Sequence, residues 1–444
     1  MKTKRLLALF CSFCFILILV ALPFLTGCAP KEVTPPAPPP ETPQAPPPET
    51  PQAPPAEILK VGTILPMNNP WGVEADKCLR LLFDNLNATG GLEVQGKKYN
   101  VQLITYDDKY TLDGGKAAAE RLVYQDKVKF IVGPLASSSV LGIIPVTEAE
   151  KVLLIHSSST DQAFNLNYRY TFRSMPAKAS VSAMYTFALK MNPNIKTQSI
   201  VASDDAFGHG YVDGGHACGK TFGITDVGDF FYTMQTTDFT DLATKAASLK
   251  PDFIFFVGTT GTTAGLTMKA LYEAGWHGLV VSGSSPVWSE IKAVSTPEAM
   301  EGFCYQTRDP SVFPTGPAKD RPAAVELRKL YEAKYGTWNG VGAMWVNSYY
   351  LFVEAIKKAN SLDPGRISAI LGAAPISYPT PMGQCTTIRR PDLGITQYMD
   401  CLAEADFGVV KNMQEAYAAS LTFAEVLAGV EMVFGYKGEW YTKE

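Results

Sequence analysis

Short apolar runs alternate with amphipathic segments along most of this chain. The run Ile58–Leu65 is rich in strand formers, and Val73–Asn87 has apolar positions at helical spacing up to the stop signal Gly90-Gly91. Tyr99–Tyr106 reads as strand, Asp113–Tyr124 as helix, Lys129–Val132 as strand, Ser138–Glu150 as helix and Val152–Ile155 as strand. After Tyr170–Ser174 the rhythm restarts. Ser180–Met191, Gly210–Phe222, Phe239–Leu249 and Thr263–Ala274 read as helices. Ser199–Ala202, a strand ending at Phe230–Tyr232, Phe253–Val257 and Leu279–Val281 lie between and after them. Short apolar strands separated by helices predict parallel sheets covered on both faces.

Two successive units of this kind predict an α/β protein of two doubly wound lobes facing each other across a cleft. Open α/β sheets bind ligands at the carboxyl ends of their strands. Helices at Ala323–Tyr335, Met344–Ala359 and Arg366–Leu371 are expected to complete the first lobe, so the chain crosses between lobes more than once. The expected division is 57–174 plus 307–375 for lobe 1. Lobe 2 takes 175–306 plus 376–444, including a C-terminal extension. In that extension Ala416, Leu421, Phe423, Val426 and Leu427 are expected to pack a helix onto a lobe, and Glu439–Tyr441 reads as a final strand.

The N-terminus has a different pattern. Lys2, Lys4 and Arg5 precede an apolar run, Leu6–Val20, that leads to Leu25-Thr26-Gly27-Cys28. A basic segment, an apolar core and a small residue before the cut form a secretory signal over residues 1–27. Leu-Thr-Gly-Cys matches the bacterial lipobox, which makes Cys28 the lipidation site and places the remaining chain outside the cytoplasm on a membrane surface. A transmembrane helix is the competing reading; Pro23 and the lack of a following basic cluster count against it. Residues 28–56 are proline-rich, with Pro38–Ala45 repeated at Pro46–Ala53. Such a segment favours polyproline II and acts as a tether. At about 3.1 Å per residue it would reach roughly 85 Å.

Composition narrows the function classes. The net charge of −4 becomes −7 once Lys2, Lys4 and Arg5 leave with the signal, and no basic stripe exists, which argues against nucleic acid. Eight cysteines are present, and Cys78, Cys218, Cys304, Cys385 and Cys401 remain beyond the anchor. Cys385–Cys401 is the expected disulfide, since both flank a short extended region, and Cys78 reads as a buried thiol. No C-x-x-C pair occurs beyond the anchor, so no structural zinc is expected.

The sharpest chemical motif is Phe130-Ile131-Val132-Gly133-Pro134-Leu135-Ala136-Ser137-Ser138-Ser139, a strand, a turn and three serines opening a helix. The helix start offers unpaired N–H groups and a positive dipole end, which suits a carboxylate. Simple capping by one serine is the other reading. Ile155-His156-Ser157-Ser158-Ser159-Thr160 repeats the design after the next strand.

With these loops in place, the run Val61–Thr160 resembles the extracytoplasmic leucine/isoleucine/valine-binding proteins of ABC importers. Asn85–Leu92 resembles that family's D-I-N-A-x-G-G-I, Thr105–Asp108 its Y-D-D, and Asp204–Gly210 its D-x-x-x-Y-G-x-G. Glu273–Trp276 and Glu301-Gly302 extend the similarity, which spans about 57–390. The resemblance implies a type I periplasmic-binding fold with a hinged cleft. It assigns ligand carboxylate binding to Ser137, the backbone near Ser158, and Thr160. It places Trp71 over the pocket and Phe207 where the family often has Tyr. Ser138, Thr260 and Ser285 complete the expected ligand set. Amino-acid binders of the family place an acid near Ser285 and often a Tyr near Thr260, and both segments are neutral here. The implied ligand therefore bears a carboxylate or amide without requiring an α-amino group, unless Asp205 supplies the acid. A monomer working with permease subunits is implied, with no cofactor.

Other functions find less support. Phe256–Gly265 resembles a dinucleotide loop but lacks G-x-G-x-x-G, and no G-x-S-x-G elbow exists. His156 inside the serine loop makes a Ser–His pair conceivable without an ordered nucleophile turn. His209, Asp213 and His216 share one helical face, as metal ligands would, but four glycines weaken that helix. A sensor ectodomain or surface-assembly protein of the same fold is the remaining alternative.

Overall fold

The computed structural model describes residues 56–258, 260–283, 287–307, 309, 312, 313, 316 and 320–434. The signal, Cys28, most of the tether, Thr259, Ser284–Pro286 and Glu439–Tyr441 lie outside the described residues.

The first sheet has six strands in the order β2-β3-β1-β4-β5-β6. They are β1 (Glu57–Leu65), β2 (Leu92–Val94), β3 (Lys97–Asp107), β4 (Phe130–Val132), β5 (Leu153–His156) and β6 (Thr171–Arg173). All pairs are parallel except the β2–β3 hairpin. The central strands β4 and β5 are buried along their full length, because helices cover both faces. The covering helices from the first half are α1 (Pro70–Ala88), α2 (Leu112–Glu120) and α3 (Ser137–Ala149).

The second sheet has the order β16-β15-β11-β10-β9-β7-β8. Its parallel part is β7 (Thr197–Ser203), β8 (Thr225–Tyr232), β9 (Phe253–Val257), β10 (Leu279–Ser282) and β11 (Cys304–Thr307). The helices of this half are α4 (Lys178–Met191), α5 (Ala206–Phe222), α6 (Thr240–Ser248), α7 (Gly261–Glu273), α8 (Trp288–Val294) and α9 (Pro297–Met300). These two sheets give the expected α/β architecture of parallel-sheet lobes. Helix α5 forms despite its glycines, and Gly208 and Gly215 sit against neighbours that leave no room for a side chain. A Cβ on Gly208 would lie 1.8 Å from the Ser203 carbonyl oxygen.

Three later helices follow, α10 (Pro322–Tyr335), α11 (Asn347–Ala359) and α12 (Pro364–Ala373). Leu327, Tyr331, Phe352, Ile356, Ile367 and Leu371 bury into one core with Leu79, Phe83, Phe130 and Ile155 of the first sheet's layers. Met344 and Trp345, expected to begin a helix, occupy a 3-10 turn (Val341–Trp345) before α11.

The C-terminal segment departs most from expectation. Residues 376–402, assigned by sequence to lobe 2, form a separate antiparallel sheet of β12 (Ser377–Thr380), β13 (Gly383–Arg390) and β14 (Ile395–Leu402). Its Tyr378, Met382, Ile395 and Met399 join the first lobe's core, while Ile388 and Leu402 join the second's. Then β15 (Ala405–Lys411) and β16 (Gln414–Leu421) extend the second sheet antiparallel, and α13 (Phe423–Phe434) packs on α4. Ala416 and Leu421, expected on a helix, are therefore strand residues. Phe423, Val426 and Leu427 do lie on the helix, against the second lobe's core. The strands were hidden because their apolar residues are not interrupted at a period of two.

Cys385 and Cys401, the expected bridge, lie on the neighbouring strands β13 and β14 with their side chains in contact. Both are buried cysteines, as are Cys78, Cys218 and Cys304. The register pairs Cys401 with Thr387, so Cys385 sits diagonally from it. The Cys385 sulfur lies 3.5 Å from the Thr380 hydroxyl and 3.7 Å from the Asn347 amide, and it is also hydrogen-bonded to the Cys401 thiol.

Candidate functional site

The parallel strands of both sheets end toward a common region, and each end supplies a loop. After β1, Asn69 accepts a hydrogen bond from the Trp71 N–H at 2.9 Å, and Pro70 starts α1. This cap fixes Trp71 in the first helical turn. After β3, Lys109 and Tyr110 both adopt left-handed backbone conformations, with φ of 54° and 62°. Such strain needs support. Asp107 accepts the Lys109 N–H at 2.8 Å, and buried Asp108 accepts the Tyr110 N–H at 2.8 Å.

A small cavity of about 20 Å³ lies where these ends converge. Trp71, Tyr110 and Trp345 line it from one side, and Phe207 and Tyr211 from the other, with Ser137, Ser159 and two methionines between. Trp71 and Trp345 pack at 5.8 Å between ring centroids, and Phe207 and Tyr211 at 4.8 Å, each pair tilted by 45°. Among the described residues no charged side chain lines the cavity.

The cavity separates the two readings of the first serine loop. Ala136, not a serine, holds the cap position of α3, and no side chain caps the helix. Ser137 is the first helical residue, 3% exposed, and its hydroxyl has no hydrogen-bond partner in the protein. A buried hydroxyl left so is costly. It faces a cavity at an uncapped helix start, an arrangement suited to an oxygen-bearing ligand.

The other expected residues divide. Trp71, Ser137 and Phe207 come together at the cavity. Ser138 lies in an outer mouth with Asn69, Lys109, Asp204 and Asp205. Thr160 caps the next turn through the Gln162 N–H at 3.2 Å and lines a second cavity of about 170 Å³. This second cavity adjoins the first at Ser159 and Tyr211. Thr260 is the N-cap of α7, accepting the Thr263 N–H at 3.0 Å, and it does not line the aromatic cavity. Ser285 lies outside the described residues. Asp205, the candidate acid, caps α5 through the Gly208 N–H at 2.8 Å and lines the outer mouth. It faces Tyr110 across the cleft. Burial first, and then Asp205, keep the Tyr110 hydroxyl protonated far above its usual range.

A Ser–His pair does exist. The Ser158 hydroxyl is 3.0 Å from the His156 Nδ1, which also accepts the Ser158 N–H at 3.2 Å. Burial, and then the charge of Arg173, hold the His156 pKa well below its ordinary value. Its Nε2 has no partner, so no carboxylate orients the ring as a catalytic triad requires. His209 and His216 pair with separate carboxylates, Asp204 and Asp229, at 2.9 Å each.

Behind the second serine loop lies a buried ion network. The Arg173 Nε donates to Asp400 at 2.7 Å, and its Nη1 donates to the carbonyls of Ser159 and Thr160 at 3.3 Å each. Arg390 reaches Asp161 at 2.7 Å, Asp392 at 2.7 Å and Asp400 at 3.0 Å. Sequence reading missed this network and also missed Tyr110, Tyr211, Met175 and Trp345. The left-handed turn before Tyr110 carries no glycine to mark it, and Trp345 lies far along the chain in a different segment.

A family model described as periplasmic binding protein matches residues 59–401. The Leu/Ile/Val-binding protein BraC3 of Rhizobium johnstonii is 25% identical over 342 residues, covering 76% of this chain and 89% of that protein. A leucine-binding protein, LivK, from Thermotoga maritima shares the fold at a TM-score of 0.68 and 21% identity, over 82% of this chain and 99% of that one. A solute-binding protein of an ABC transporter from Rhodopseudomonas palustris, solved with 3,4-dihydroxybenzoic acid, aligns at a TM-score of 0.65 and 19% identity, over 82% of this chain and 97% of that one. These relatives are solute-binding proteins, not enzymes. The chain belongs to the periplasmic binding protein family, with a type I fold of the branched-chain amino acid type.

Proposed function

We propose that this protein is an extracytoplasmic lipoprotein that binds a small carboxylate- or amide-bearing solute between its lobes and delivers it to an ABC importer. The observation that carries this reading is the cavity at the strand ends, where Trp71 and Ser137 of one lobe meet Phe207 and Tyr211 of the other. The Ser137 hydroxyl and the uncapped first turn of α3 offer donors to a ligand oxygen. The names of the relatives, which bind branched-chain amino acids or aromatic acids, support the ligand class. Because the cavity holds about one water, a solute enters only if the lobes part and then reclose. The proposed division places the hinge near β6 and the 376–402 sheet.

The anchor reading rests on Leu25-Thr26-Gly27-Cys28. No helix among the described residues is long and apolar enough to cross a membrane. Expression in a bacterial host tests both parts. Intact mass should show lipid on Cys28 and loss of residues 1–27, and Cys28→Ala should release the protein from membranes. Retention of that variant on membranes with an uncleaved N-terminus would contradict the anchor. Failure to bind any carboxylate or amide would contradict the binding role.

A further inference from the structure

We propose that Asp205 is a specificity-determining residue, its Oδ2 taking a protonated amine of the solute whose carboxylate sits at the start of α3. This rests on the solute-binding reading and adds the nitrogen that the solute must carry.

Two buried atoms carry it, one on each lobe. On the first lobe the Ser137 hydroxyl, in a residue only 3% exposed, has no hydrogen-bond partner and stands at the cavity wall. On the second lobe Asp205 uses its Oδ1 within the protein, accepting the Gly208 N–H at 2.8 Å and the Ser203 hydroxyl at 3.0 Å. Its Oδ2 is buried and makes no such bond. A buried oxygen that bears charge and lacks a donor is costly, and a ligand N–H removes that cost.

Tyr110 joins the two places. It lines both the aromatic cavity and the outer mouth to which Asp205 belongs, and its ring is set there by the left-handed turn at Lys109 and Tyr110. Its hydroxyl stands beside the Asp205 carboxylate. One hydroxyl can supply one proton to Oδ2, but a carboxylate oxygen has two acceptor sites, so one remains for the solute.

Charge decides which N–H fits. A carboxylate solute seated at Ser137 would share the cleft with Asp205, and like charges repel strongly where water is excluded. A protonated amine on the same solute offsets both charges and makes a charge-assisted hydrogen bond to Oδ2. The other carboxylates around the cleft have partners or water. Asp204 pairs with exposed His209 at 2.9 Å. Asp161, on the wall of the second cavity, is held by Arg173 and Arg390. Asp213 lines that cavity too but is exposed to solvent.

The test uses isothermal titration of the purified full-length chain with paired solutes. The pairs are leucine and 4-methylpentanoate, phenylalanine and 3-phenylpropanoate, and 4-aminobutanoate and butanoate. In a pair that binds, the amine should bind tighter by about tenfold or more. Asp205→Asn should bring that ratio close to one. Asparagine caps a helix as well as aspartate does, so the fold should be kept, as circular dichroism will show. With its oxygen held on the Gly208 N–H, the new amide turns a donor toward the amine. Asp205→Ser, which also caps, decides should the first variant fail to fold. Asp213→Asn examines the rival acid. Equal or tighter binding of the amine-free solute would overturn the proposal. So would an amine preference that survives in Asp205→Asn, or one that falls in Asp213→Asn instead. Each of these results leaves the solute-binding reading standing. Binding of none of these solutes would overturn both.

Discussion

Arg173 on β6 and Asp400 on β14 form a two-point ion pair, with Arg173 fully buried and Asp400 4% exposed. The pair ties the last strand of the first sheet to the separate sheet of residues 377–402. The same guanidinium holds the carbonyls of Ser159 and Thr160, so the pair also sets the second serine loop. Removing one partner of a buried pair leaves an uncompensated charge. Asp400→Asn should therefore lower unfolding free energy by about 3–5 kcal/mol, measured by denaturant titration. A loss under about 1 kcal/mol would mean that Asp161 and the loop carbonyls suffice for Arg173.

The C-terminal extension completes the second sheet. Phe407 of β15 stacks on Phe187 of α4 at 4.2 Å between centroids and 1° between planes. Phe407 is fully buried in the second lobe's core. Phe407→Ala should cost about 3–5 kcal/mol, as for other buried aromatic truncations. Unchanged stability would show that residues 405–434 dock on an already complete lobe.

His156 gives the pH dependence a sign. Its folded pKa is depressed, by burial first and by Arg173 second. The unfolded chain then binds a proton, near pH 6.5, that the folded chain refuses. This contribution to stability is fully present above pH 6.5 and is lost as the pH falls below it. The slope is about 1.4 kcal/mol per pH unit until the folded group titrates. His156→Asn should flatten the stability profile below pH 6.5. An unchanged slope would place His156 outside the acid response.

Five buried cysteines give a chemical test. Burial raises each of those whose shift is resolved, with Cys304 pushed up to about 12. Thiolates are the reactive form, so the native protein should resist a thiol reagent. Denaturation without reductant should then expose five reactive groups beyond the anchor. Three would indicate that two had formed a disulfide, with Cys385 and Cys401 the first pair to examine.

How much was legible in sequence follows from how local each signal is. The β4 strand, Gly133, Pro134 and the serines occupy one continuous stretch, so strand, turn and helix start could be read together. Trp71 and Phe207 were placed by resemblance. Tyr110, Tyr211 and Trp345 reach the cavity only because three separate segments converge, and no local pattern encodes that. Arg173 and Asp400 lie 227 positions apart, and their pairing depends on the register of β14. The hydroxyls of Ser158, Thr160 and Thr260 looked equivalent to Ser137 in sequence. Each is spent on a neighbour, a distinction visible only in the hydrogen bonds.

The most direct test of the central claim is a thermal-shift screen of the full-length chain against carboxylates, amides and zwitterions, repeated with Ser137→Ala and Phe207→Ala. A solute that binds the native state raises the melting temperature by mass action. The account predicts a rise of several degrees with at least one carboxylate- or amide-bearing solute, reduced in both variants. No rise with any solute on folded protein, or a rise that both variants leave intact, would contradict a binding site between Ser137 and Phe207.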